Sequence, residues 1–329
     1  MMLCYEWEET MQIFRRVLLG AILMSTLLGT SVIAKESDPI TLVLPYSAGG
    51  PTDGLTRYLA DGLSKITDRT FLVENKPGAN GIIAAQFVAR TRAPQNTLLV
   101  GGTGPISLNT MLRKNLPFSL EDFQPVSLVA SGPMAVTVPV SSGLETLEDF
   151  VAQGKSKPLR FGTFGPGSLS QLYGALLSNV FDLDLIEVSY KTTAEEVKDI
   201  LGGQVDFTVS SPFGVIGQIQ AGEMKMLGVA LPERMEQLPE VPTFAELGYP
   251  ELTASFWTGI FAPTAMDVTL VAEINSALAE IISKPETQEM LSKIGQFAIG
   301  GEIEVLSEQL HIDREKWGGV IEERGIVLE

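Results

Sequence analysis

Residues 40–54 read ITLVLPYSAGGPTDG. Ile40 to Leu44 is an apolar run of strand length, Pro45 to Gly50 is a turn of small residues, and Leu55, Leu59 and Leu63 then recur at helical spacing. A strand that feeds a glycine-rich turn and then a helix leaves unpaired backbone N–H groups at the positive end of the helix dipole. Such a turn can cradle an anion with no cationic side chain. Gly49 and Gly50 admit close backbone approach and positive φ, and Thr52 or Asp53 can cap the helix. The same residues also suit a turn that holds no ligand. Nucleotide phosphate is disfavoured, because Leu55 follows Gly54 where a P-loop needs Lys, and no GxGxxG is present.

Outward from this stretch, short apolar runs alternate with helical patterns. Strands are expected at Ile40 to Leu44, Thr70 to Val73, Thr97 to Val100, Val126 to Val129, Met134 to Val138, Arg160 to Gly162, Asp184 to Val188, Asp206 to Val209 and Met226 to Ala230. Helical spacing recurs in Ile82 to Arg92, Ser168 to Val180, Ala194 to Leu201, and in two C-terminal stretches, Leu270 to Ile282 and Val305 to Ile321. This predicts an α/β fold of mostly parallel sheets flanked by helices. Length argues for two lobes, with the chain crossing between them near Pro133 to Val136 and near Ala254 to Phe261. Trp317 belongs to an apolar helical face and is expected in the core, whereas His311 lies among charges and is expected in solvent.

Arg15 and Arg16 precede the uncharged run Val17 to Ala34, which reads as a signal peptide cleaved near Ala34; a retained membrane anchor is the alternative. MMLCYEWEET is acidic where such a segment wants an uncharged or basic start, so Met11 reads as the true initiator. The single cysteine, Cys4, lies upstream, and the exported chain would contain no thiol. That chain carries 37 acidic and 21 basic residues, a net of −16, which argues against nucleic acid or an anionic membrane surface as partner.

One histidine and no exported cysteine cannot build a His/Cys metal set, and a Ser-His-Asp triad would have to use exposed His311. No cofactor or metal is expected, and an enzyme is the weaker class. The acid pairs Glu195-Glu196 and Glu322-Glu323 fall on expected helices and read as solvated. What recurs is the opening theme. Gly101 to Ser107 follows the strand ending at Val100, and Gly165 to Ser170 follows the strand near Phe161. Ligands of open α/β sheets bind outside the carboxyl ends of strands, so these loops should face one cleft, with Ser47, Thr103, Ser107, Ser168 and Ser170 as hydroxyl donors.

PYSAGGPTD resembles the Pro-Phe/Tyr-x-x-Gly-Gly-x-x-Asp loop of the tripartite tricarboxylate transporter solute receptors, the Bug or TctC family. VENKPGANG at 73–81, SYKTTAEEVKDILGGQVDF at 189–207, LPEVPTFAELGYP at 238–250 and FWTGIFAP at 256–263 match further marks of that family in order. The resemblance implies a two-lobed type II periplasmic-binding-protein fold, with residues 35–134 and 257–329 as lobe 1 and 135–256 as lobe 2. It implies a non-enzymatic, monomeric receptor that delivers a small organic carboxylate to membrane permease subunits; signalling to a sensor kinase is the alternative. The implied ligand contacts are Tyr46, Ser47, Ala48, Gly49, Gly50, Thr52 and Asp53, then Thr103, Gly104 and Ser107. From the other lobe they are Gly167, Ser168, Leu169 and Tyr190, with Asp206 at the cleft floor. Two positions depart from the family pattern: Gln171 stands where many relatives have histidine, and Tyr190-Lys191-Thr192 where Tyr-Lys-Gly is usual. Lys191 is the one cation expected near the cleft.

Overall fold

The computed structural model describes residues 38–328, so the expected signal segment 1–34, Met11 and Cys4 lie outside the described residues. From Pro39 onward the chain forms one compact unit built on two sheets. The strands are β1 (Ile40–Leu44), β2 (Phe71–Asn75), β3 (Thr97–Gly102), β4 (Phe123–Pro133), β5 (Ala135–Pro139), β6 (Leu159–Thr163), β7 (Leu185–Ser189), β8 (Phe207–Ser210), β9 (Met224–Val229), β10 (Ser255–Pro263) and β11 (Phe297–Ala298). The longer helices are α1 (Pro51–Ile66), α2 (Ile82–Ala89), α3 (Leu147–Ser156), α4 (Leu169–Phe181), α5 (Thr193–Leu201), α6 (Val268–Ile282), α7 (Pro285–Lys293) and α8 (Ile303–Arg324).

The first sheet has the order β11-β4-β10-β3-β1-β2 and the second β7-β6-β8-β5-β9. Parallel pairing is confined to β2-β1-β3 and β7-β6-β8; every other pairing among the described strands is antiparallel. The α/β class holds, with the antiparallel share larger than expected because the chain changes sheets on long antiparallel strands. β4 runs into β5 with only Met134 between them, where the crossing was expected. The return passage precedes Ser255, and Ser255–Pro263, read from sequence as a crossing, is a nine-residue strand between β3 and β4. Met134 O accepts from Ala230 N at 2.8 Å and Ala230 O from Ala254 N at 3.2 Å, so the two passages lie side by side.

Each glycine loop follows a strand of a parallel set, and parallel strands place all their carboxyl ends at one sheet edge. The apolar faces of α1 and α6 close one face of the first sheet through Leu55, Leu59, Leu63, Ile274, Leu278 and Ile281. The opposite face is filled by Val88, Ile106, Trp257, Phe261 and Leu306. The C-terminal helix is shared. Leu306 near its start packs into that cluster, while Trp317 and Val320 pack into the core of the second sheet beside Tyr173.

Glu196, expected in solvent, is 1 % exposed. The apolar positions Val197 and Ile200 turn α5 onto the sheet, and the adjacent Glu196 is carried under with them. There it accepts from Thr208 Oγ1, its Oε2 is unpartnered, and Gly162 leaves the space that a Cβ would fill. Burial pushes the carboxyl above the usual range, opposed by the Thr208 bond. A folded value above the unfolded one means that the stability from this group is fully present below the ordinary value of about 4.3 and lost as pH rises through the folded value. Glu196→Gln holds the neutral form. As pH rises from below about 4.3, the wild-type melting temperature is therefore expected to fall more than the variant's, and parallel melting curves would contradict this.

Candidate functional site

The helix after β1 begins at Pro51 with Gly50 as its N-cap in extended conformation, and no side chain caps it. Neither Thr52 nor Asp53 occupies the cap. Asp53 instead sits in the first turn, buried, and reaches back to accept from Gly49 N at 3.0 Å. One helical turn on, Arg57 grips it with Nε to Oδ2 and a terminal nitrogen to Oδ1, both at 3.0 Å. Asn75 at the end of β2 donates to Oδ1 at 2.9 Å and to Tyr46 O at 3.0 Å. The Arg57 bond, then the Gly49 amide and Asn75, hold the carboxyl well below the usual carboxylate range. Arg57 is thus a cation at this edge, and its charge is engaged within the protein. Among the described residues, the amides of Ser47, Ala48, Gly50, Thr52 and Asp53 have no hydrogen-bond partner. These five donors, at the positive end of a sixteen-residue helix, are the electropositive feature of the loop.

Tyr46 keeps 42 % of its surface accessible, yet desolvation pushes its phenol up to about 12.

The loop after β2 turns sharply. Gly78, Ala79, Asn80 and Gly81 have φ of 127°, 47°, 49° and 87° in succession. This carries Asn80 over to the loop after β3, where Asn109 Nδ2 donates to Asn80 O at 2.9 Å and to Pro105 O at 3.2 Å. Asn80 Nδ2 donates in turn to Gly167 O at 3.3 Å, joining a first-sheet loop to a second-sheet loop. Sequence reading quoted the VENKPGANG stretch and assigned Asn80 no role; the run Pro-Gly-Ala-Asn-Gly was the available signal.

After β3, residues Thr103–Leu108 form a π-helical turn. Thr103 and Ser107 are both buried, and their hydroxyls point inward. Thr103 Oγ1 accepts from Trp257 N at 2.9 Å. Ser107 lies beside Asp313 of α8, which accepts from Trp257 Nε1 at 2.8 Å and Gln309 Nε2 at 3.0 Å. Burial raises the Asp313 carboxyl and those donors oppose the rise. Thr103 Oγ1 thus braces the loop as an acceptor while its O–H can still donate, and the network on Asp313 was not visible in the sequence.

On the second sheet, Ser168 caps α4 by accepting from Gln171 N at 3.3 Å, and Ser170 Oγ accepts from Phe164 N at 3.1 Å. Gly167 N donates to Gln171 Oε1 at 2.8 Å, and Gln171 Nε2 to Glu187 at 3.0 Å. The Gly167 peptide is thus held on both sides, while the amides of Leu169 and Ser170 have no partner among the described residues. Phe164 in this loop is 44 % exposed, and sequence reading passed over it.

A family model described as "Tripartite tricarboxylate transporter family receptor" matches residues 55–326. The chain belongs to this receptor family. Its members bind substrates and are not enzymes. The receptor is 31 % identical over 316 residues to a protein from the tcbD–tcbE intergenic region of Pseudomonas sp. strain P51, covering 94 % of each chain. Its fold is similar to that of the periplasmic binding protein BugD, with a TM-score of 0.75 and 28 % identity over 88 % of this chain and 99 % of that one. It is similar also to Rpa4515 of Rhodopseudomonas palustris with adipate (TM-score 0.77, 27 % identity, 88 % and 98 % covered). MatC of Rhodopseudomonas palustris with bound malate aligns at a TM-score of 0.74, 26 % identity, covering 86 % of this chain and 98 % of that one.

Asp206 is not brought to these loops, and Tyr190 meets the end of β6 through its backbone while its hydroxyl turns elsewhere. Asp206 precedes β8 and accepts from Arg160 N at 2.7 Å and Arg160 Nε at 3.2 Å, at the leading ends of β6 and β8. The glycine loop follows the opposite end of β6, so Asp206 is a strand-start anchor rather than a cleft floor. Tyr190 extends the β6-β7 pairing through its amide to Thr163 O at 2.8 Å, but its hydroxyl reaches along α5 to Asp199 at 3.0 Å. Burial, then Asp199, pushes that phenol up to about 12. Lys191 is exposed, with its amide donating to Glu195 at 3.3 Å. Among the receptor's described residues, no group of three or more His, Cys, Asp or Glu could hold a metal, and no helix is long and apolar enough to cross a membrane.

Proposed function

We propose that the receptor captures a small organic carboxylate in the periplasm and delivers it to the membrane permease subunits of a tripartite tricarboxylate transporter. The unpartnered amides of Ser47, Ala48, Gly50, Thr52 and Asp53 carry this reading, since they offer hydrogen-bond donors to an anion while Arg57 stays engaged with Asp53. Adipate and malate in the similar receptors support a carboxylate as that anion. Tyr46, Gly104, Gly167, Ser168 and Leu169 complete the proposed contacts, with bridging water supplementing the amides and Thr103 and Ser107 supporting the loop. Residues 35–134 and 257–329 act as one lobe and 135–256 as the other, hinged where the paired passages at Met134 and Ala254 run side by side. Export follows cleavage near Ala34, from a start at Met11, and the receptor works as a monomer.

Thermal shift and calorimetry against mono-, di- and tricarboxylates test this. At least one acid is expected to raise the melting temperature by several degrees, since ligand at a hundred times Kd adds about 2.7 kcal/mol to the folded state. Its uncharged ester is expected to give no shift. A receptor indifferent to the whole panel would overturn the proposal.

A further inference from the structure

Between Lys76 and Leu120 the chain has five basic residues, Lys76, Arg90, Arg92, Arg113 and Lys114, and no aspartate or glutamate, within a protein of formal net charge −17. The fold gathers part of this segment onto one face. Ile83 and Phe87, one turn apart on α2, are 48 % and 43 % exposed. They line a shallow depression of about 460 Å³ together with Gln86, Arg90, Thr91 and Arg92. Lys76 Nζ lies 4.0 Å from the Phe87 ring centre while pairing with Glu74 at 2.6 Å. Arg90 donates to Pro117 O at 3.2 Å, which ties the face to the segment that carries exposed Lys114. Among the described residues, Arg90, Arg92 and Lys114 have no carboxylate partner, although acids outnumber bases 40 to 23.

We infer that this α2 face is the surface on which the receptor docks to the transporter's membrane subunits, through an extracytoplasmic surface that sets carboxylates around an apolar contact. The inference rests on the permease partnership proposed above. Exposed aromatic and aliphatic residues ringed by unpaired arginines form a protein-recognition pattern, with an apolar anchor inside a charged rim. An anionic lipid surface fits less well, because lipid capture takes clusters of about four to eight cations and the receptor's overall charge is repelled. Position adds a consequence. α2 begins directly after the loop that carries Asn80, Ile83 packs against Gly78 of that loop, and Asn80 reaches across to Gly167. A partner on Ile83 and Phe87 therefore adjoins the contact that spans the two sheets, and can distinguish a closed, loaded receptor from an open one.

The test measures association of carboxylate-loaded receptor with the membrane subunits in nanodiscs, by interferometry over a range of salt. Wild-type association is expected to weaken with salt, and Phe87→Ser and Arg90→Glu/Arg92→Glu are each expected to weaken it at least about tenfold. Calorimetry should find carboxylate affinity within about twofold of wild type, and Lys157→Glu, elsewhere on the surface, should dock normally. Variants that associate like wild type, or a wild type that does not associate at all, would overturn the docking face while leaving carboxylate capture intact. Equal binding to phosphatidylglycerol nanodiscs lacking protein would overturn it in favour of lipid, and loss of a wild-type dimer in sedimentation would overturn it in favour of a second copy. Failure of carboxylate binding by the wild type would instead sink the function on which it rests.

Discussion

Asp53→Ala is expected to weaken carboxylate binding about tenfold or more, while Lys191→Ala changes it by less than about twofold. The Asp53 side chain makes no claim on the ligand, since its carboxylate is occupied by Gly49 N, Arg57 and Asn75. What it does is hold the turn in one shape, with the amides of Ser47, Ala48 and Gly50 presented together. Without it those residues must be ordered on binding, and ordering one residue's backbone costs about 1 to 2 kcal/mol. The same change releases Arg57, whose charge would attract an anion, but that side chain is 51 % exposed and screened by water. Loss of preorganisation should therefore win. Calorimetry on Asp53→Ala, Arg57→Ala and the double variant separates the two effects. A binding constant for Asp53→Ala equal to or better than wild type would show that charge, and not amide geometry, controls the site.

Trp317→Ala is expected to cost about 3 to 5 kcal/mol, a fall in melting temperature on the order of 10 °C. The ring is 1 % exposed, lies 6.5 Å from Tyr173 between ring centres, and belongs to the core of the second sheet. Its helix starts in the core of the first sheet at Leu306, so the cavity would also loosen the element that both sheets share. Trp317→Phe keeps most of the apolar volume and should recover more than half of the loss. A melting temperature for Trp317→Ala within about 2 °C of wild type would mean that the far end of α8 contributes little to the folded state.

Much of the fold was legible because its signals are local. Short runs of three to five residues between turn formers located β1, β3 and β6 to within a residue or two, and the small-residue stretches after them became the loops at one sheet edge. β10 was misread because the chain leaves the second sheet just before SFWTGIFAP, and a mixed apolar run does not say whether it crosses or pairs. α3 and α7 were not anticipated, since Leu147–Ser156 and Pro285–Lys293 are short and carry few apolar positions. Glu196 was misplaced for a related reason: a polar residue beside an apolar stripe can lie on either side of the boundary, and the absence of a side chain at Gly162 decides which.

The sequence alone determined the strand–glycine turn–helix unit at 40–54, its two sister loops and, through motifs spread along the chain, the receptor family. Those features depend on residues a few positions apart, so each stretch carries its own information. The tertiary structure decided which groups remain for a ligand. Thr103 Oγ1 accepts from Trp257, 154 residues away, and the Asp313 carboxylate of the last helix is engaged by Trp257 and Gln309. Asp53 is taken partly by Asn75, and Asn80 is carried to Gly167 across the junction of the sheets. A hydroxyl or amide serves a ligand only if no protein partner reaches it first, and that competition is settled by contacts distant in sequence.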